Sequence, residues 1–349
     1  MTEPFATHHR AILAELARLT AAREGFTLCV VVHCSGSTYR KPGALAAIAA
    51  GGSRLGVISG GCLEPDLESA ARAALGELRP RVVLFDSDSD DDLVFGSGSG
   101  CRGRMQLLLL PVAAGTSHPL CEALLAADRA HQPLAAALVT SGPDLGGGFL
   151  WSSDSETVLT PKVEAARALR GRAPGQYPLA ASGETCAVVS FAPCPRVLLF
   201  GAGPEAPALI AIADRLGWRV TVADHRGTLL ARHAAGAERT LCARPAAALA
   251  SCAGERFDAC IVMTHTAAND REALAALAQR PEPFIGLLGP AARRDELLAT
   301  LEPAARAALG ERLHAPVGLK LGGHGPEILA LSICAELQRF LAAAGAPRG

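Results

Sequence analysis

The sequence predicts an α/β protein: an N-terminal α/β domain followed by a C-terminal Rossmann-type domain built on a doubly wound parallel sheet. Val197 to Phe200 form an apolar run of strand length that is followed by a glycine turn and a predicted helix, as in a strand buried on both faces of a parallel sheet. A second strand-like run ends in the carboxylate of Asp224. Pro193 and Pro195 interrupt both helix and sheet pairing, so we divide the chain into residues 1–193 and 194–349.

The composition excludes nucleic-acid binding by a basic surface and a membrane-spanning helix. The chain has 33 basic and 34 acidic side chains and a formal net charge of -1, which leaves no electrostatic footprint for nucleic acid. Its longest uncharged apolar stretch, Met105 to Cys121, contains proline, glycine and serine, whereas a spanning helix needs about 20 apolar residues. We expect no nucleic-acid partner and no membrane partner.

The cysteines and the N-terminal residues predict a cytoplasmic protein. The first ten residues lack a charged segment followed by an apolar one, so we expect no export signal. The eleven cysteines are an odd number without any C-x-x-C pair, which argues against a disulfide framework and a zinc ribbon. Most of these thiols lie in apolar runs, so we expect them to be buried.

The first candidate site is a loop after a predicted helix over 8–23 and a predicted strand over 26–33. It runs from Cys34 to Gly43 and contains small residues, hydroxyls and two adjacent cations. Such a loop offers backbone and side-chain donors to an anionic ligand. A solvated basic turn is the alternative. The candidate ligand residues are Gly36, Ser37, Arg40 and Lys41.

The second candidate site is a glycine turn between a predicted hairpin over 44–59 and a predicted helix over 66–78. Its sequence is Ser59-Gly60-Gly61-Cys62-Leu63-Glu64. The positive potential at a helix N-terminus lowers the pKa of a thiol and favours the reactive thiolate. We therefore expect Cys62 to be functional, and an inert buried thiol is the alternative.

The third candidate site follows a predicted strand over 82–85 and an acidic run over 86–92, which we interpret as a solvated loop. Residues 95–104 contain four glycines around Cys101 and two arginines. Glycines bring backbone N–H groups close to a ligand, a cation lowers a thiol pKa, and arginine binds phosphate bidentately. The candidates are Gly98, Gly100, Cys101 and Arg102, and the alternative is a flexible linker before a strand over 105–110.

Residues 113–193 give weaker signals. A helix over 120–129, a strand over 134–140, a glycine-rich hairpin over 142–148 and a helix near 162–169 are predicted. We interpret this region as an extension of the N-terminal domain, whose motif-bearing part covers about residues 8–112.

The C-terminal domain opens with a dinucleotide-binding pattern. Gly201 permits the tight turn, Gly203 lets a phosphate approach the backbone, and Ala206 is the small residue where helix and strand pack. Asp224 lies at the offset of about 20 residues where an acid meets a ribose hydroxyl, and Arg226 follows it as a further candidate contact. A purely structural turn is the alternative.

A histidine follows the next predicted strand, over 257–263. His265 stands at the carboxyl end of that strand, where ligands bind in parallel sheets, although it could instead only cap the next helix. Another strand and turn are predicted over 284–290, and Pro326 and Glu327 begin a helix that is predicted to end near Ala342.

Six motifs together resemble the xanthine dehydrogenase accessory (XdhC/CoxI) family, over nearly the whole chain except about residues 115–190. They are Ser59-Gly-Gly-Cys-Leu-Glu64, Gly98-Ser-Gly-Cys-Arg-Gly103, Leu199-Phe-Gly-Ala-Gly203, Met263-Thr-His265 with Asp270, Ile285-Gly-Leu-Leu-Gly289, and Ala315-Pro-Val-Gly318 with Pro326-Glu327. The chain departs from the family pattern at Ala44-Leu45-Ala46 and at Pro290.

The resemblance implies an N-terminal XdhC/CoxI domain, a C-terminal Rossmann domain and a chaperone for the molybdenum cofactor. Such a chaperone receives the pterin, in its molybdopterin or dinucleotide form, supports its sulfuration and inserts it into a xanthine dehydrogenase-type hydroxylase. The implied partners are that client and a sulfur-donating cysteine desulfurase, and we also expect a homo-oligomer. Cys62 or Cys101 would contact the molybdenum or the transferred sulfur, with Cys101 as the metal ligand. Arg40, Lys41 and Arg102 would hold phosphate.

Two other functions remain open from the sequence. An NAD-dependent oxidoreductase would use Asp224 to select NAD and His265 as acid or base. A dinucleotide-responsive sensor would use the same fold to change a binding surface, because fold alone does not give function.

Overall fold

The computed structural model describes residues 8–59, 61, 63–86, 103–159, 164–179 and 183–345. Contacts within the chain divide it into two compact units, Met1–Pro193 and Cys194–Gly349. Within the described ranges, no helix is long and apolar enough to cross a membrane.

The N-terminal unit contains two five-stranded antiparallel sheets. The strands of the first are β1 (Phe26–Gly36), β2 (Leu45–Ala49), β3 (Arg54–Leu55), β4 (Arg81–Asp86) and β5 (Gly103–Val112). Their order in the sheet is β3-β2-β1-β5-β4. Helix α1 (His9–Ala21) precedes β1, and helix α2 (Glu64–Glu77) connects β3 to β4.

Helix α2 packs on one face of this first sheet. Alternate residues of β1, such as Cys29 and Val31, form a buried cluster with Leu67 and Ala71 of α2. The hydroxyl of Thr27, on the same face of β1, donates a 2.8 Å hydrogen bond to the carbonyl oxygen of Ala71. The first sheet therefore fixes the position of α2 and of the turn that leads into it.

The second sheet of this unit lies in the region of weak sequence signals. Its strands are β6 (Leu134–Val139), β7 (Gly148–Trp151), β8 (Glu156–Val158), β9 (Gly175–Pro178) and β10 (Thr185–Phe191), in the order β8-β7-β6-β10-β9. Helices α3 (Pro119–Ala130) and α4 (Glu164–Arg167) accompany it. Val139, Phe149 and Val188 pack with Ala166 in its core. The predicted glycine-rich hairpin is the connection between β6 and β7.

The C-terminal unit is built on a six-stranded parallel sheet. Its strands are β11 (Arg196–Phe200), β12 (Arg219–Ala223), β13 (Arg239–Leu241), β14 (Ala259–Val262), β15 (Ile285–Leu287) and β16 (Leu313–His314). Their order is β13-β12-β11-β14-β15-β16, and every neighbouring pair is parallel. The helices are α5 (Ala206–Arg215), α6 (Gly227–His233), α7 (Pro245–Ser251), α8 (Ala267–Leu277), α9 (Ala291–Ala299), α10 (Pro303–Leu309) and α11 (Pro326–Gly345).

Both faces of this sheet are covered by helices. Leu199 packs with Leu209 of α5 and Ile333 of α11, while Phe200 faces the other way and packs with Leu274 of α8. A parallel sheet buried on both faces explains the uninterrupted apolar run from residue 197 to 200. The predicted Rossmann-type, doubly wound fold is confirmed.

The order of the strands locates the place where a ligand binds in such a fold. From β11 the chain moves outward through β12 and β13, then returns to place β14 on the opposite side of β11. The direction of the connections thus reverses between β11 and β14, and open α/β sheets bind ligands at the carboxyl ends of the strands at such a switch point. Those ends carry Gly201 and Thr264.

Candidate functional site

The glycine turn at the switch point is tightly built. Gly201 has φ of 112°, a conformation that residues with a Cβ rarely adopt, and its N–H donates to the carbonyl oxygen of Ala223 at 2.8 Å. Its α-carbon lies against the carbonyl of Met263 and the α-carbon of Thr264 at the end of β14. Gly201 is therefore required by the close approach of two strand ends, as well as by the turn.

Asp224, at the end of β12, is committed to bonds within the protein. One carboxylate oxygen accepts from the N–H of Ala202 at 2.9 Å and from Nη2 of Arg226 at 2.8 Å. The other accepts from the backbone N–H of Arg226 at 2.8 Å and from its Nε at 2.9 Å. The side chain is only 2% exposed, so Asp224 is a bridge between the glycine turn and Arg226.

These contacts keep Asp224 ionised. Burial of the carboxyl raises its pKa, but the hydrogen bonds from Arg226 and the backbone N–H groups of Ala202 and Arg226 outweigh burial and lower the pKa to about 2. Hydrogen bonds from an arginine side chain and from two backbone N–H groups favour the charged form of a carboxylate.

The carboxylate of Glu205 and the imidazole of His265 are in contact beside the glycine turn. Oε2 of Glu205 and Nε2 of His265 are 3.0 Å apart. The Glu205 side chain is 10% exposed and the His265 side chain is 48% exposed. The carboxylate is therefore mostly buried, and the imidazole is accessible to solvent. His265 has φ of 60°, which is uncommon for a residue other than glycine and is a feature of functional sites.

A second buried carboxylate lies beside β14. Asp270, at 1% exposure, accepts from the hydroxyl of Thr264 at 2.5 Å and from Nη2 of Arg293 at 2.6 Å. The α-carbon of Gly289 lies against the side chain of Arg293, since a Cβ there would be 2.8 Å from its Cδ. Arg293 is thus a partly exposed cation fixed at the carboxyl edge of the sheet.

In the N-terminal unit, the turn that leads into α2 is held by one serine and one buried glutamate. The hydroxyl of Ser59 donates to Glu64 and accepts from the N–H groups of Gly61 at 3.2 Å and Leu63 at 3.1 Å. Glu64, at 4% exposure, also accepts from the N–H of Ser59 at 2.9 Å. The turn is therefore fixed on both sides of residue 62.

Arg54 supplies positive charge to this turn. Its Nη1 lies 3.6 Å from Glu64, and its Nε lies 3.2 Å from Glu68 on the next turn of α2. A buried carboxylate needs hydrogen bonds or an opposite charge, and Glu64 has both. Helix α2 begins at Glu64 and not at Asp66 as predicted, because Glu64 takes part in this turn and Pro65 suits the first helical turn.

The two adjacent cations of the loop over 34–43, Arg40 and Lys41, lie in different surroundings. Burial lowers the pKa of His9, Asp128 raises it, and Arg40 lowers it further, so the half-buried Arg40 lies near α1. Lys41 is exposed, and its Nζ is 3.5 Å from the hydroxyl of Thr38. Within this loop, Lys41 is the cation that faces solvent.

The small residues of the same loop have a structural explanation. Gly36 has φ of 69° and pairs with Gly103, the first residue of β5. A Cβ on Gly103 would lie 2.5 Å from the carbonyl oxygen of Ser37. The backbone of β1 and of β5 therefore approach too closely for a side chain at residue 103.

Six of the predicted site residues lie outside the described residues. They are Gly60, Cys62, Gly98, Gly100, Cys101 and Arg102. Among the residues that the structure does describe, no group of three or more histidine, cysteine, aspartate or glutamate side chains is placed to hold a metal ion.

Several other cysteines are buried, as expected. Burial raises the pKa of four thiols to about 12: Cys29, Cys121, Cys186 and Cys334. A thiol with such a pKa is almost entirely protonated at neutral pH and is a poor nucleophile.

Comparisons with known proteins agree for both units. The family model of the XdhC Rossmann domain matches residues 197–337, and the model described as the XdhC and CoxI family matches residues 19–86. The chain belongs to the XdhC/CoxI family. The family resemblance seen in the six motifs is thereby confirmed.

Two relatives extend this XdhC/CoxI match over more than nine-tenths of the chain. A Bacillus subtilis protein, named as a probable subunit of xanthine dehydrogenase, is 29% identical over 92% of this chain and 95% of its own length. A solved structure from Bacillus halodurans, described as a xanthine dehydrogenase, has a TM-score of 0.78 and 29% identity, and covers 96% of this chain and 98% of the other. An uncharacterized Escherichia coli protein, YqeB, is 34% identical over 41% of this chain and 27% of its own length.

In this XdhC/CoxI protein, the structure gathers one set of predicted site residues at one edge of the C-terminal sheet. They are Gly201, Gly203, Ala206, Asp224, Arg226 and His265. Gly61 and Glu64 lie together in the N-terminal unit, and Lys41, Arg40, Gly36 and Ser37 belong to the separate loop after β1.

Glu205 and Arg293 also lie at this edge of the C-terminal sheet, and neither is among the site residues predicted from the sequence. The sequence signal for Glu205 is that an acid stands within the glycine turn, where a phosphate is expected. Arg293 has no local signal, because its partner Asp270 is 23 residues away.

Proposed function

We propose that this chain is a chaperone for the molybdenum cofactor. It binds the pterin, protects it while the molybdenum acquires a terminal sulfur, and inserts it into a xanthine dehydrogenase-type molybdenum hydroxylase in the cytoplasm. The sulfur comes from a cysteine desulfurase, and the chaperone acts as a homo-oligomer.

Family membership is the observation that carries this proposal. Membership of the XdhC/CoxI family suggests an accessory role for a xanthine dehydrogenase. The Bacillus subtilis relative, whose name links it to that enzyme, aligns over 95% of its own length. The link to the client therefore rests on both units and not on the Rossmann fold alone.

The turn before α2 supports a role for a thiol at residue 62. Gly61 and Leu63 both donate N–H groups to Ser59, and α2 has 14 residues, enough for a dipole that favours a thiolate at its N-terminus. Thiolate is a soft ligand that suits a thiophilic metal or a transferred sulfur. We assign this contact to Cys62 or Cys101.

Cations of the N-terminal unit complete the proposed site. Lys41 is exposed and is assigned to the phosphate of the pterin, together with Arg102. Arg40, in the same loop, is assigned to the same group. A phosphate at this loop suits the cationic and hydroxyl groups that surround it.

The test is activation of a client hydroxylase in cells that lack the native chaperone. Cys62→Ala, Cys101→Ala and the double variant are compared with Cys121→Ala, which removes a buried thiol whose pKa is about 12. We expect the client to lose most of its activity with at least one of the first two variants and to keep it with Cys121→Ala. Full activation by the double variant would contradict the assigned role of both thiols.

The oxidoreductase and sensor functions both require a bound dinucleotide. No observation favours either of them, since both carboxylate oxygens of Asp224 already accept bonds from Ala202 and Arg226. The chaperone function does not depend on that carboxylate.

A further inference from the structure

The glycine turn of the C-terminal unit is built differently from a turn that holds a pyrophosphate. In a dinucleotide-binding turn the second glycine has no Cβ so that the backbone can approach the phosphates. At Gly203, a Cβ would lie 2.8 Å from Oε2 of Glu205 and 2.9 Å from Nε2 of His265. The space that a phosphate would take beside Gly203 is therefore filled by the protein.

Glu205, the acidic side chain that fills this space, has the same sign of charge as a pyrophosphate. Glu205 is the residue before α5, a helix of ten residues, and the N-terminus of a helix favours an anion. The Glu205 side chain does not cap the helix backbone but contacts Nε2 of His265 at 3.0 Å. Its carboxylate therefore places a negative charge beside Gly203 and against His265, without serving the helix as a cap.

The backbone holds the partner of Glu205 in place. His265 has φ of 60°, and positive φ at a residue other than glycine is maintained only when the surrounding structure fixes it. Thr264, the preceding residue, is tied to Asp270 through its hydroxyl at 2.5 Å and its N–H at 3.2 Å. The imidazole is consequently directed at Glu205 by a rigid strand end.

The second standard contact of a dinucleotide is also used internally. An acid at the end of the second strand normally accepts from the ribose hydroxyls. Asp224 stands at that place, but it is 2% exposed and accepts four hydrogen bonds from Ala202 and Arg226. The phosphate position and the ribose position are thus both occupied, by two independent sets of contacts.

We infer that Glu205 is a specificity-determining residue that closes the glycine turn against dinucleotides and other polyphosphates. The inference concerns the ligand of the C-terminal unit and does not depend on the proposed cofactor chaperone. A pyrophosphate at this turn must displace a buried carboxylate from His265 or lie against its negative charge. Loss of that charge opens the turn to the same ligand.

Direct binding to the full-length protein tests this inference, with NADH and inorganic pyrophosphate as separate probes. The variants are Glu205→Gln, which keeps the shape of the side chain, and Glu205→Ala, which also empties the space. Glu238→Gln is the matched control, because it removes one negative charge from the same unit in an exposed pair with Arg219. Thermal unfolding of each variant verifies that it is folded.

We expect the wild-type protein and Glu238→Gln to bind both probes weakly. Both Glu205 variants should bind each of them about tenfold or more tightly, since juxtaposed like charges are strongly unfavourable in a desolvated site. Wild-type affinity equal to that of Glu205→Ala would overturn the inference. So would an equal gain in Glu238→Gln, or the absence of binding in every folded variant. Pterin content is a separate readout, so its outcome leaves this result unaffected.

Discussion

Replacement of Asp224 by asparagine tests whether the Asp224 bridge stabilises the C-terminal unit. The variant keeps the size of the side chain but removes the charge that accepts from Ala202 and Arg226. The pKa of Asp224 lies at about 2, against an ordinary value of 3.8. At about 1.4 kcal/mol per pKa unit this corresponds to at most about 2.5 kcal/mol, which solvent screening of Arg226 reduces to roughly 1 to 2 kcal/mol.

Fluorescence of Trp218 follows this unit, because Trp218 is buried in its core and the only other tryptophan, Trp151, can be replaced by phenylalanine. In denaturant, Asp224→Asn should lose about 1 to 2 kcal/mol of unfolding free energy at pH 7. Glu238→Gln should change by less than about 1 kcal/mol, because its ion pair is exposed. A loss below about 0.5 kcal/mol in Asp224→Asn would show that the Asp224 bridge does not stabilise the C-terminal unit.

The same variant has a defined pH dependence. Because the folded pKa of Asp224 is lowered, the stabilisation is present above the unfolded pKa of about 4 and is lost as the pH falls through the folded value. The difference between wild-type and Asp224→Asn should therefore shrink between about pH 4 and pH 2. A difference that instead disappears near pH 6 would indicate another titrating group.

Three further predictions concern the other contacts. Ser59→Ala should lower the pterin content of the purified protein, because the turn before α2 loses its shared acceptor, while circular dichroism should show the fold retained; unchanged pterin content would contradict this. Arg293→Met should destabilise the C-terminal unit by about 3 kcal/mol, since it leaves the charge of Asp270 buried, and adding Asp270→Asn should restore part of the loss in denaturant unfolding. Iodoacetamide at pH 8 should label the exposed Cys242 much faster than the buried thiols, as mass spectrometry would measure, and equal rates would contradict their raised pKa values. Those buried thiols are Cys29, Cys121, Cys186 and Cys334.

The sequence predicts the C-terminal fold well because its signals are local. A strand buried on both faces, a glycine turn and a helix follow one another within about 20 residues of Arg196, and each element has its own pattern. The start of α11 at Pro326 is likewise marked by proline in the first turn. Such patterns need no knowledge of distant contacts.

The sequence does not predict where the side chains point or which groups they contact. Glu205 and His265 are 60 residues apart, and their contact follows only from the placement of β14 beside β11. Asp224 stands at the offset expected for a ribose contact, yet its carboxylate turns toward Ala202 and Arg226. Offset along the chain fixes the position of an acid, whereas competing donors decide where its oxygens point.

In the N-terminal site, the sequence predicts some contacts and leaves others open. Ser59 and Glu64 are only five residues apart, so their contact is local, but the N-cap of α2 is Leu63 and the spacing is not that of a capping box. Arg40 differs, because two adjacent cations in a loop do not reveal which one packs near α1. The structure makes that distinction by placing Arg40 partly buried and Lys41 in solvent.

The proposed function requires that this XdhC/CoxI protein carry a pterin cofactor. The most direct measurement is the pterin content of protein purified anaerobically from molybdenum-replete cells, determined by fluorescence after oxidation, for wild-type, Cys101→Ala and Cys121→Ala proteins. We predict pterin in the wild-type and Cys121→Ala proteins and its loss in Cys101→Ala. Bound nicotinamide dinucleotide without pterin, from cells that contain pterin, would contradict the claim.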